Sequence, residues 1–170
     1  RIIPDGDGEV NEKGLQFYEN LVDELIANGI EPMITLYHWD LPSALQDKGG
    51  WLDRDIVAAF GRYAGILAQR FKGKVNKYMT LNEPQCAAQL GYGNGEHAPG
   101  LKMGEEKVAQ VFHIMCLAHS EAYRAIKAVD PEAQVGAAPC GRQCYPETDT
   151  PENREAAYRE TFNLSSERGW

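Results

Sequence analysis

The sequence predicts an α/β fold built round a parallel sheet, and two observations predict it. Amphipathic helical segments alternate with short apolar runs of strand length, a pattern that calls for parallel strands joined by right-handed crossovers. The connections are also unequal: those from helix to strand are short (29–31, 72–74, 130–133), and those from strand to helix are long (38–54, 82–104, 139–150). One end of the sheet is plain and the other elaborated, which is how a (β/α)₈ TIM barrel arranges its active-site loops. Three strands do not close a barrel, which takes about 250 residues. The expectation is therefore a partial (β/α)₈ domain over residues 1–170, incomplete at both ends.

Each element has its own warrant. From Gly14 to Asn28 the residues Leu15, Tyr18, Leu21, Val22, Leu25 and Ile26 recur at helical spacing, and Gly29 supplies a stop. Pro32 to Tyr37 is a continuous apolar run, as in a parallel strand buried on both faces. A second helix is expected from Asp55 to Phe71, with Ile56, Phe60, Ala64 and Leu67 on its inner face and Asp53 as N-cap. The strand Val75 to Leu81 follows, and Pro84, which has no N–H to donate, ends the ladder near Glu83. A third helix runs from Glu105 to Val129, with two acids in its first turn and Pro131 just past its end. The third strand is Gln134 to Ala138, and a fourth helix starts at Pro151 after Thr150 and reaches about Leu164. The chain has no longer repeat, low-complexity segment or evident domain boundary.

Composition narrows the function classes. At 43% hydrophobic the chain can bury a core, and its net charge of −8 argues against a phosphate-binding surface, so no nucleic-acid partner is expected. No apolar run reaches the roughly 18 residues of a membrane span, and no signal-like segment opens the chain, so no membrane partner and a cytoplasmic location are expected. Arg1 is not a natural start, so an upstream segment is also expected. Cys86, Cys116, Cys140 and Cys144 lack paired spacing and read as reduced thiols; Cys140 and Cys144 have no further ligand at zinc-site spacing, so no metal is expected.

The chemistry gathers at the strand exits. Tyr37-His38-Trp39-Asp40-Leu41-Pro42 follows the first strand, Asn82-Glu83-Pro84 the second and Pro139-Cys140 the third. Imidazole, amide and carboxyl groups bind hydroxyls while an indole covers a sugar face, so the set points to a carbohydrate ligand.

With these stretches the chain resembles the glycoside hydrolase family 1 β-glucosidases and β-glycosidases. Thr35 to Pro42, Gly49-Gly50-Trp51-Leu52, Thr80 to Pro84, Gly91-Tyr92-Gly93 with Gly95, and His97-Ala98-Pro99-Gly100 carry the resemblance, which covers nearly the whole chain. It implies that the three strands are the third to fifth of a TIM barrel and that no cofactor is needed. It also implies that Glu83 is the general acid/base, that Asn82 hydrogen-bonds the hydroxyl next to the anomeric carbon, and that His38 and Trp39 line the glycone subsite. A retaining glycosidase needs two carboxyl groups about 5 Å apart, and the family's second one, in a Glu-Asn-Gly triplet, does not occur in these residues. Gln85 and Cys86 depart from the aromatic residue that many members place after the Asn-Glu-Pro triplet, which bears on leaving-group preference.

Other readings compete with these. His97 reads as part of a rigid loop, Trp51 as a loop anchor, and His113 and His119 as helix-face residues. The first functional reading is a retaining β-glycosidase acting on cellobiose-like or aryl β-glucosides, with the 170 residues alone inactive. The rival from another class is a non-catalytic half-barrel module with weak or no sugar binding, self-associating through exposed sheet edges. A phospho-glycosidase is disfavoured by the Tyr37 to Pro42 motif.

Overall fold

The computed structural model describes residues 2–141 and 143–162, and the chain forms two compact units that part between Ala138 and Pro139. The first unit contains helix α1 (Glu12–Ala27), strand β1 (Met33–Tyr37), short helix α2 (Ser43–Gln46), a 3₁₀ turn (Gly50–Leu52) and helix α3 (Ile56–Phe71). It continues with strand β2 (Lys77–Asn82), short helix α4 (Pro84–Ala88), a π turn (Gln89–Gly93), helix α5 (Glu105–Val129) and strand β3 (Gln134–Ala138). The strands form a parallel sheet in the order β1-β2-β3.

Local chemistry accounts for the helix ends. Helix α1 starts two residues before its apolar period because Asn11 Oδ1 accepts from Gly14 N at 3.3 Å. It ends in a Schellman motif: Gly29 adopts φ +71, its N–H donates to Ile26 O and the N–H of Ile30 donates to Leu25 O, both at 2.9 Å. Asp53 does not cap α3 as its position suggests. Asp55 holds the cap position with no side-chain bond, and Asp53 Oδ1 accepts from Asp55 N at 2.9 Å, so the carboxylate shapes the turn before the helix.

The core lies between the sheet and the long helices. Helix α3 contributes Phe60, Ala64, Leu67 and Phe71, and helix α5 contributes Val111, Met115, Ala122 and Ile126, all buried. These two helices pack tightly because Gly61 and Gly65 present no side chain to α5: a Cβ at Gly61 would lie 2.6 Å from Glu121 Cγ. Side chains along the strands alternate. Ile34, Leu36, Tyr78 and Thr80 are the more covered set, while Met33 (54% exposed) and Thr35 stand open. The expectation that the first strand is buried on both faces is thus corrected: Met33 and Thr35 stand open, and only its last two residues, Leu36 and Tyr37, are buried.

The stretch 82–104, read from sequence as a long loop, holds α4 and the π turn, and its closing segment pairs back on that turn. His97 N donates to Leu90 O at 3.0 Å, Leu101 N to Gly91 O at 2.9 Å and Met103 N to Tyr92 O at 2.8 Å. A Cβ on Gly91 would lie 2.7 Å from the backbone oxygen of Ala98. Gly91→Ala is therefore expected to force this backbone apart and to cost about 1–3 kcal/mol in urea denaturation. An unchanged midpoint would show that the loop yields without cost.

The second unit is centred on helix α6 (Pro151–Thr161), which begins where the sequence predicts because Thr150 Oγ1 accepts from Asn153 N at 3.2 Å. Thr161 Oγ1 in turn accepts from Cys144 N at 2.9 Å. The helix closes at Thr161, short of the expected Leu164, which lies outside the described residues. Among the described residues, no helix is long and apolar enough to cross a membrane.

Candidate functional site

The exits of β1 and β2 meet. Trp39 Nε1 donates to the backbone oxygen of Asn82 at 2.9 Å, and the Asn82 amide nitrogen lies 3.3 Å from His38 Nε2. An amide nitrogen donates, so in this contact Nε2 accepts, which requires the ring proton to lie on Nδ1. Three of the four site residues expected from sequence, His38, Trp39 and Asn82, are thus bonded directly to one another. The fourth, Glu83, is the next residue along the chain and is half-buried.

The backbone of Glu83 is fixed on both sides. Its N–H donates to Ala138 O of β3 at 2.8 Å, and its carbonyl accepts from Ala87 N at 3.1 Å in the first turn of α4. Pro84 fills the first helical position, where a missing N–H costs nothing. Glu83 itself sits in the left-handed region, φ 43 and ψ 59. Among the described residues only one other non-glycine has positive φ, and it is Trp39 at φ 78. Such conformations cost of order 1–3 kcal/mol each and persist only where surrounding structure imposes them. Both occur at the strand exits that carry the expected site.

Behind the site lies a buried aromatic support. Trp51 is 1% exposed and packs edge-on against Tyr37 and Phe60, with ring centroids at 5.2 and 5.9 Å. The Tyr92 hydroxyl accepts from Trp51 N at 3.2 Å and donates to Gln46 Oε1 at 2.8 Å, tying α2, the 3₁₀ turn and the π turn together. Burial raises the phenol pKa of both Tyr37 and Tyr63, and the Asp40 carboxylate adds to the effect. Tyr63 therefore stays protonated and donates to Leu36 O at 3.2 Å.

One residue joins the site that its sequence context assigned to structure. The His97 ring lies 4.9 Å from that of Trp39, tilted by 44°, so the loop after the π turn reaches across to the exit of β1. His97 stands next to Ala98-Pro99-Gly100, and that turn chemistry outweighed any ligand signal. Pairing with an aromatic residue 58 positions earlier leaves no local trace. His113 is exposed on α5, in agreement with its reading as a helix-face residue.

Comparison with known proteins gives consistent matches. The family model described as Glycosyl hydrolase family 1 matches residues 1–167. A 6-phospho-beta-galactosidase of Clostridium acetobutylicum is 40% identical over 158 residues, 93% of this chain and 33% of the relative. A beta-glucosidase of an Agrobacterium species is 43% identical over 159 residues, 94% of this chain and 34% of the relative. The solved structure of a beta-glucosidase from Thermotoga maritima in complex with glucoimidazole superposes with a TM-score of 0.85 at 37% identity, covering 93% of this chain and 36% of that one. The chain spans about a third of the length of the curated relatives it matches.

Proposed function

Because this chain belongs to glycosyl hydrolase family 1, whose TIM-barrel fold its sheet and helices share in part, we propose that it is the acid/base-bearing portion of a retaining β-glycosidase. The substrate is a terminal β-D-glycoside, with β-glucosides the first expectation, and Glu83 is the general acid/base. The observation that carries this reading is the pair of left-handed residues, Trp39 and Glu83, at adjoining strand exits. Strain held at two adjoining strand exits is a mark of a working site rather than of a wall.

In the proposed double displacement, Glu83 protonates the leaving oxygen while a second carboxylate attacks the anomeric carbon, and Glu83 then takes a proton from the water that releases the sugar. The two carboxyl groups must stand about 5 Å apart. No Glu-Asn-Gly triplet occurs among the 170 residues, so the nucleophile is assigned to another part of the protein and this portion alone is expected to turn over nothing. Asn82 is the residue proposed to hold the hydroxyl beside the anomeric carbon, and its contact with His38 supports that role.

The test is the stereochemistry of hydrolysis by the full-length protein. NMR of the first product released from an aryl β-glucoside is expected to show the β anomer; initial release of the α anomer overturns the retaining mechanism, and no turnover of any glycoside favours the non-catalytic module. The 40% identical 6-phospho-beta-galactosidase supports a second reading, in which the glycone carries a 6-phosphate. Running a 6-phospho-β-galactoside in parallel separates the two.

A further inference from the structure

Thr80 lies in β2, three residues before Glu83, and is fully buried. Its hydroxyl has two partners: it donates to Gly136 O of β3 at 3.2 Å and lies 2.7 Å from His119 Nδ1 on α5. Both contacts fall where the ladder between β2 and β3 is irregular. Met79 pairs with Gly136 and Asn82 with Ala138, so β2 advances three residues (79 to 82) while β3 advances two (136 to 138). The extra residue makes a bulge, a device that bends its strand and re-aims the side chains beyond it.

A hydroxyl has one proton to donate. With that proton committed to Gly136 O, the contact with His119 must run from ring N–H to hydroxyl oxygen, which places the imidazole proton on Nδ1. Burial lowers the pKa of His119 and so favours the neutral ring that this arrangement uses. Thr80 thus holds β3 before the extra residue, and Glu83 N–H holds it after, through Ala138 O at 2.8 Å. The shifted stretch of β2 is thus tied to β3 on both flanks.

We propose that His119 is a positioning residue for Glu83: acting through Thr80, it locks the β2 bulge against β3 and so sets the direction in which the Glu83 carboxyl leaves the sheet. The proposal rests on Glu83 being the general acid/base. Small displacements of a proton donor are costly, because proton transfer needs the donor within hydrogen-bond reach of the leaving oxygen.

The experiment compares two substrates in the full-length protein. An alkyl β-glucoside needs protonation of its leaving group, whereas a dinitrophenyl β-glucoside departs without it. Thr80→Val and His119→Leu are expected to lower kcat/KM for the alkyl substrate by about tenfold or more while changing the dinitrophenyl substrate little. Thr80→Ser keeps the hydroxyl and is expected to retain activity. His119→Asn, whose amide nitrogen stands as many bonds from Cα as Nδ1 does, is expected to recover most of what His119→Leu loses. Equal losses on the two substrates, no loss, or no recovery with asparagine overturns the positioning role. Glu83→Ala separates the two layers of the argument. If it shows the selective loss and Thr80→Val does not, positioning alone falls; if Glu83→Ala shows no selectivity, the acid/base assignment falls and takes the positioning role with it.

Discussion

Replacing Glu83 with alanine in the full-length protein is expected to lower kcat/KM for an alkyl β-glucoside by on the order of 10²–10⁴-fold, the usual contribution of a positioned general acid. The size of the effect follows from the leaving group. An alkoxide is too basic to depart unaided, so the first step depends on the proton that Glu83 delivers. A dinitrophenolate departs without protonation, and its first step should be nearly unchanged. The second step needs a base to activate water whatever the first leaving group was, so kcat should fall for both substrates and a covalent glycosyl-enzyme should accumulate, visible as a mass increase of one sugar residue. A small anion such as azide needs no deprotonation and is expected to restore turnover. The Glu83 bonds to Ala138 and Ala87 are made by its backbone and survive the substitution. Full activity of the variant on the alkyl substrate would remove Glu83 from the mechanism.

The largest effect on stability is expected at Trp51. Trp51→Ala should cost about 3–5 kcal/mol, the range for removing a fully buried large aromatic and leaving a cavity. The indole is 1% exposed, and its neighbours Tyr37 and Phe60 are fixed in strand and helix, so the gap cannot readily collapse. Trp51→Phe keeps much of the contact area and should cost distinctly less. Urea denaturation that shows a lower midpoint at unchanged slope would confirm a loss of folded-state packing. A change below about 1 kcal/mol, the typical value for an arbitrary substitution, would mean that Trp51 does not anchor the loop. Activity should fall as well, because Tyr37, against which Trp51 packs, directly precedes His38.

The regular elements were legible for identifiable reasons. Helices α3 and α5 each bury one apolar face repeatedly over more than four turns, and α5 and β3 begin and end at the residues their pattern names. Helix α4, at five residues, and the five-residue π turn after it were not legible. Segments this short carry no period, and a single turn is not stable by itself. They persist because Tyr92 and the segment from His97 to Met103 bond to neighbouring turns. Of the expected site, His38, Trp39, Asn82 and Glu83 could be named because each stands in a motif at a strand exit. His97 and the Thr80 to His119 contact could not, since their partners lie 58 and 39 positions away along the chain.

By itself the sequence determined the alternation of helix and strand, the elaborated end of the sheet, the family and the carboxyl group to which the chemistry is assigned. Apolar spacing, turn residues and motif identity are local properties, and they can be read wherever the chain is read. Only the tertiary structure decided how that carboxyl group is held: the left-handed backbone of Trp39 and Glu83, the bulge in β2, and the imidazole that reaches Thr80 from another element. The physical reason is that positive φ at a non-glycine residue is unfavourable for the segment that contains it. No local propensity can announce a conformation that only surrounding contacts impose.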